Sequence, residues 1–214
     1  MNFIKKTSML LSGLLLYSLG IALTIQANIG LAPWDVFHQG ISKHLHINIG
    51  QAAIILGILI VILNVILGEK VGWGTVSNGL TIGLFLDFIL NNDLLPTFTS
   101  LPLQYLMATV GMFIIGIASS LYIRVGLGAG PRDGLMMALT RKTNLSVRLI
   151  RSSIELSVLI VGIILGGSFG FGTIFMGLTI GYFVQLAFKL TKFDGKKIRH
   201  RYITDDIKQI RQSM

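Results

Sequence analysis

The sequence predicts an all-α integral membrane protein of six transmembrane helices, arranged as two inverted three-helix repeats, each with a short re-entrant or interfacial helix. Three observations predict it. Only 13% of the 214 residues are charged, against roughly 25% in an average soluble domain. Uncharged runs long enough for a membrane crossing recur along the chain. A self-match at a separation of 98 residues ties the first half of the chain to the second.

A hydrocarbon core about 30 Å thick takes roughly 20 apolar residues per helical crossing. Stretches 8–27, 47–67 and 103–123 meet this without an Asp, Glu, Lys or Arg. Stretch 156–188 is also uncharged, but at 1.5 Å per residue a single helix there would run about 50 Å, so it must break. The cluster Gly166, Gly167, Ser168, Phe169 and Gly170 places the break and gives spans near 150–166 and 171–188. Stretch 71–90 completes the set and contains Asp87. The first repeat then occupies 1–95, the second 96–188, and a basic tail fills 189–214. Lys5 and Lys6 ahead of an apolar run have the look of a signal peptide, with Gln26 and Ala27 near a cleavage point, but the repeat implies that this helix is retained.

The repeat rests on more than the string GLTIG at 79–83 and 177–181. At the same offset Ile66, Leu67, Gly68, Gly72, Gly74, Thr75 and Phe85 meet identical residues at Ile164, Leu165, Gly166, Gly170, Gly172, Thr173 and Phe183. Pro33 and Asp35 pair likewise with Pro131 and Asp133. Further upstream a two-residue change of register aligns Gly20, Ile21, Ala22, Gly30 and Leu31 with Gly116, Ile117, Ala118, Gly126 and Leu127. Three crossings per half is an odd number, which places the halves in opposite orientation. With the N-terminus in the cytoplasm, seventeen of the eighteen Lys and Arg residues fall on the inner side, Lys43 being the exception, and both termini are expected to be cytoplasmic.

The two proline segments, APWDVFHQGISKHL from Ala32 and GPRDGLMMALTRK from Gly130, are the most specific motif. Proline suits the first turn of a helix, and an aspartate two residues later meets the positive end of the helix dipole. Two readings stand. As re-entrant half-helices, their N-termini would face each other near mid-membrane and hold an anion or a polar substrate, with Asp35 and Asp133 as a symmetric acidic pair for a cation or proton. As interfacial connectors, the aspartates would be ordinary first-turn carboxylates. Trp34 and Arg132 occupy matching places beside them. In the plainer reading Trp34 is an outer interfacial anchor and Arg132 a cytoplasmic charge that sets topology. Substrate-binding candidates are therefore Pro33, Trp34, Asp35, Pro131, Arg132, Asp133 and Glu155.

Glu155 and Asp87 are the acidic residues inside spans, where ionisable groups are costly, with Asn64, Asn78 and Gln185 as neutral polar company. Glu155 follows Arg151 by four residues, a pairing distance on one helix face, and Asp87 sits near a helix end. Gly79 with Gly83, and Gly177 with Gly181, form small-xxx-small pairs suited to helix packing, and with inverted halves these third helices could cross at the centre. His44 and His46 point apart on a helix and make no metal site. The absence of cysteine excludes disulfides, thiolate nucleophiles and cysteine-ligated metals.

GLAPWDVF, GLGAGPRDGLMMAL and the repeated GLTIG elements resemble the bacterial YczE/YyaS/YitT-type membrane proteins over most of the chain up to the tail. The resemblance implies a multi-pass protein of the bacterial plasma membrane and supplies no substrate. YitT-type members carry a soluble C-terminal domain that the tail is too short to match. The expected function is a small transporter or permease with a central site between inverted repeats. The alternative is a scaffold or accessory subunit of another membrane or biosynthetic system. No HExxH, Ser/His pairing or acidic metal cluster points to an enzyme, and no cofactor is implied. The expected partners are the bilayer, anionic lipids at the basic tail and an unidentified small molecule or ion; a homo-oligomer is left open, and nucleic acid is not expected.

Overall fold

The structure is a computed structural model and describes residues 3–194, 198 and 200–206. Eight helices follow one another: α1 (Phe3–Gln26), α2 (Pro33–Leu45), α3 (Ile49–Ile66), α4 (Trp73–Asn91), α5 (Leu101–Arg124), α6 (Pro131–Thr143), α7 (Val147–Ile164) and α8 (Phe171–Leu190). Five of these, α1, α3, α4, α5 and α8, are long and apolar enough to cross a membrane. The sequence predicts six. The exception, α7, is as long as α3 but carries Arg148, Arg151 and Glu155 in its first half.

Local chemistry sets the helix ends. Asn48 caps α3, its N–H donating to the Gln51 side chain at 2.9 Å, and Ser146 caps α7 by accepting from Leu149 N–H at 3.3 Å. At the starts of α4 and α8 a threonine three residues in accepts from the capping glycine's N–H: Gly72 to Thr75 at 3.3 Å and Gly170 to Thr173 at 3.1 Å. α2 and α6 open on proline and close on a left-handed residue, His46 at φ 54° and Asn144 at φ 58°.

Helix starts recur 98 residues apart at Pro33 and Pro131, Ile49 and Val147, and Trp73 and Phe171. The left-handed glycines keep the same spacing: Gly30 and Gly128 have φ 112° and 110°, and Gly68 and Gly166 have φ 85° and 80°. Gly30 therefore matches Gly128 rather than Gly126, and the two-residue change of register read upstream disappears. Low-complexity Gly, Ile and Ala strings align almost as well two residues out of step, whereas backbone angles do not.

The centre belongs to α1 and α5, which pack on each other most extensively. Glycine permits the approach: a Cβ on Gly20 would lie 2.8 Å from Gly111 O, and one on Gly111 would lie 2.7 Å from Gly20 O. This corrects the expectation that the third helices cross there. α4 packs on α3 and α1, and α8 packs on α5. Gly79 and Gly83 do serve packing, against Gly57 and Gly50 of α3. Gly177 instead faces the Pro33 ring, and nothing lies within 4 Å of a Cβ placed on Gly181. Outward faces are apolar at helical spacing, as in Leu80, Leu84 and Phe88 on α4 and Ile174, Leu178, Tyr182 and Leu186 on α8, the surface a helix bundle presents to lipid.

The connections are exchanged between the two parts of the chain. α2 packs chiefly on α7, and α6 on α3. Gly172 N–H donates to Ile29 O at 2.8 Å and Gly74 N–H donates to Leu127 O at 2.7 Å, so each loop ahead of a proline helix is stitched to a helix start in the other part. Lys43 donates to Gly166 O at 2.6 Å, while Arg141 pairs with Glu69 at 3.0 Å beside Leu67 O.

The described part of the tail folds back on the protein. Arg201 N–H donates to Gly126 O at 2.7 Å, Ile203 N–H to Val71 O at 3.0 Å, and Trp73 Nε1–H to Asp206 at 3.0 Å. Lys196, Lys197, Arg199, Lys208 and Arg211, on which much of the expected lipid contact rests, lie outside the described residues.

Candidate functional site

The two proline helices begin inside the bundle. Residues 32 and 130 are extended, with φ, ψ of −62°, 153° and −61°, 157°, and deliver the chain to Pro33 and Pro131. The Pro33 ring comes within 3.9 Å of a Cβ on Gly177, and the Pro131 ring within 3.6 Å of one on Gly79. Both glycines lie six residues along their helices, or about 9 Å from the start. The bare glycine surface lets each ring sit against the helix wall. Asn64, buried in α3, fixes the second start by donating to Pro131 O at 2.8 Å.

Between the two starts lies a cavity of about 200 Å³, walled by residues of α1 to α8. Pro33, Trp34, Asp35, Pro131, Arg132, Asp133 and Glu155 all line it, so the structure brings every predicted site residue to one place. Trp34 and Arg132 are neither an interfacial anchor nor a peripheral charge. The Arg132 guanidinium stacks over the Trp34 ring at 4.3 Å from its centroid, joining α6 to α2. The short side of each proline helix that carries the aspartate also carries the residue between, and burying both helix starts carries that residue inward as well.

A polar chain runs through this contact. Arg132 Nη2 lies 3.3 Å from His38 Nε2, and His38 Nδ1 lies 3.4 Å from Asp35 Oδ1. Guanidinium nitrogens only donate, so Nε2 accepts and the imidazole proton sits on Nδ1, facing the carboxylate. Asp35 and His38 are both buried. On α7, which packs on both proline helices, Arg151 and Glu155 pair at 3.0 Å and also line the cavity. Around Gly130 three polar atoms converge: a Cβ there would meet Tyr122 Oη at 3.3 Å, Asp133 Oδ2 at 3.5 Å and Asn78 Nδ2 at 3.6 Å.

His38, Arg151, Tyr17 and Tyr122 were missed as site residues. His38 follows Asp35 by three residues on a helix, which puts both on one face, and that spacing was available. Arg151 was read only as a topological charge and a partner for Glu155. Nothing in the sequence distinguishes Tyr17 and Tyr122 from other mid-span aromatics. Asp87 does not line the cavity; its carboxylate accepts from Gly50 N–H at 2.7 Å and caps the first turn of α3. Among the described residues, no group of three or more His, Asp or Glu side chains is placed to hold a metal ion.

Among the described residues, an all-helical architecture with apolar outer faces, several helices of crossing length and five charged side chains lining an internal cavity defines a multi-pass membrane protein. The chain belongs to DUF6198, a family of unknown function, whose pattern matches residues 4–189. It is 35% identical over 180 residues to the uncharacterized membrane protein YczE of Bacillus subtilis, a match spanning 82% of each chain. An uncharacterized protein of Haemophilus influenzae is 34% identical over 181 residues, 85% of this chain and 82% of that one. The uncharacterized protein YyaS of B. subtilis is 28% identical over 167 residues, 76% of this chain and 82% of its own. No solved structure matches.

Proposed function

We propose that this protein is a small transporter of the bacterial plasma membrane, with one central substrate site between two oppositely oriented three-span halves and both termini in the cytoplasm. The observation that carries the reading is the meeting of Pro33 and Pro131, with their flanking charges, at one internal cavity. Half-helices that end at a polar site inside a bundle are the way inverted-repeat transporters build a binding site. The recurrence of helix starts at 98 residues and the exchanged stitching of the loops support the inverted arrangement. The role is passage of a solute, with no bond made or broken.

The orientation is tested by placing single cysteines in a chain that has none. Cysteine at Asn92 or Ser168 should be labelled by an impermeant thiol reagent in intact cells, and cysteine at Lys70 only after permeabilisation; the reverse would overturn the inverted topology. Transport is tested in proteoliposomes with a panel of radiolabelled solutes. The Asp35→Asn, Asp133→Asn double variant should lose the flux seen with the native chain while keeping its membrane abundance. Unchanged flux would remove both aspartates from the mechanism.

A further inference from the structure

Resting on the transporter reading, we infer that the cavity takes a small organic ammonium cation with an apolar body, bound at Asp133. Three carboxylates, Asp35, Asp133 and Glu155, and two guanidiniums, Arg132 and Arg151, line the cavity, which leaves an excess of one negative charge. Asp35 faces His38, Arg132 is spent on Trp34 and His38, and Arg151 holds Glu155. Among the described residues no Lys, Arg or His nitrogen comes within ion-pair distance of Asp133. The start of α6 offers it roughly half a positive charge, and Arg151 and Arg132 act on it through space, while the cavity as a whole keeps its one excess negative charge.

Its surroundings suit a cation. Asp133 Oδ2, Tyr122 Oη and the Asn78 amide converge on the open side of Gly130, where the matching position of the first proline segment is Ala32. The missing methyl leaves room at the one place where these polar atoms meet. Tyr122 and Tyr17 stand edge to face, with centroids 6.1 Å apart, and both line the cavity, supplying aromatic surface that attracts a cation. The rest of the wall there is apolar, with Ile82 and Ile115 among its residues. An ammonium N–H only donates, and the corner offers the Asp133 carboxylate and the Tyr122 phenol oxygen to receive it.

The protein supplies its own reporter, since Trp34 lines the cavity and the second tryptophan, Trp73, lies outside it. In Trp73→Phe protein reconstituted in nanodiscs, isoamylammonium and propylammonium should change Trp34 emission saturably. Isovalerate and isoamyl alcohol, which keep the apolar body without the cation, should not. Asp133→Asn should weaken amine binding at least tenfold. Gly130→Ala, whose backbone angles any residue adopts, should weaken it several-fold without altering charge, and so tests the corner even if Asp133→Asn fails to fold. No saturable response to either amine, an equal response to isovalerate, or native affinity in a folded Asp133→Asn protein would overturn the assignment. Flux separates this inference from the reading beneath it. Saturable amine binding with no movement of any solute across proteoliposomes sustains the cation site and overturns transport; flux confined to anions or neutral solutes sustains transport and overturns the cation site.

Discussion

Two glycines and one asparagine hold the site's backbone. Gly30 and Gly128 adopt φ near 110°, and a Cβ there would lie 2.7 Å from Thr173 Oγ1 and 2.4 Å from Thr75 Oγ1. Left-handed strain and steric overlap act together, so Gly30→Ala and Gly128→Ala should each destabilise the protein by about 1–3 kcal/mol, read as a lower midpoint in detergent-based thermal unfolding. Asn64→Ala should cost about 1–3 kcal/mol by the same measurement, because it leaves the buried Pro131 carbonyl without its donor. Much at this scale was legible in the sequence. The proline and aspartate pairs, and Trp34 beside Arg132, stand in plain register. The contact of Trp34 with Arg132 was not legible, because it joins positions 98 residues apart in the chain, and spacing within one segment says nothing about which segment it will meet.

Between helices, approach distance is set by the size of single residues. A Cβ on Gly83 would lie 2.3 Å from Gly50 O, so Gly83→Leu should separate α3 from α4 and also pull Asp87 from the first turn of α3. Asp87→Ala alone should remove the capping interaction, worth about 1 kcal/mol. Comparing the thermal midpoints of the two variants separates packing from capping, with the leucine expected to cost more. Crossing lengths and the glycine break before α8 follow from hydropathy and from glycine density, and both could be read directly. Which helices touch could not be. The glycine pairs of α4 and α8 look alike in sequence, yet one packs on α3 while Gly181 faces open space.

On the scale of the whole molecule, the tail is tied across one end of the bundle. His200 Nδ1 accepts from Gly128 N–H at 3.2 Å, which an imidazolium cannot do, and burial lowers its proton affinity below that of a free histidine. The folded value lies below the unfolded one, so docking is fully favoured above the free-histidine value of about 6.5 and is lost as pH falls below it. In Trp34→Phe protein, the emission of Trp73, whose indole donates to Asp206, should shift to the red as pH drops from about 8 to about 5.5. His200→Gln should abolish that shift. The tail's charge, visible in the sequence, points to lipid, whereas a backbone docking contact leaves no mark in a string of residues.

The exchange of partners among helices also bears on how the chain is made. α2 leaves the ribosome with α3 close behind, but the surface it packs on most belongs to α7, more than a hundred residues later. During synthesis its buried Asp35 and His38 therefore wait in an unfinished bundle, without Arg132 beside them. A chain halted before α7 would hold an unsealed polar segment in or against the bilayer, the kind of intermediate that membrane quality-control proteases recognise. The first half is thus a dependent of the second, and assembly completes late, when α7 and α8 arrive and close the loop ahead of α2.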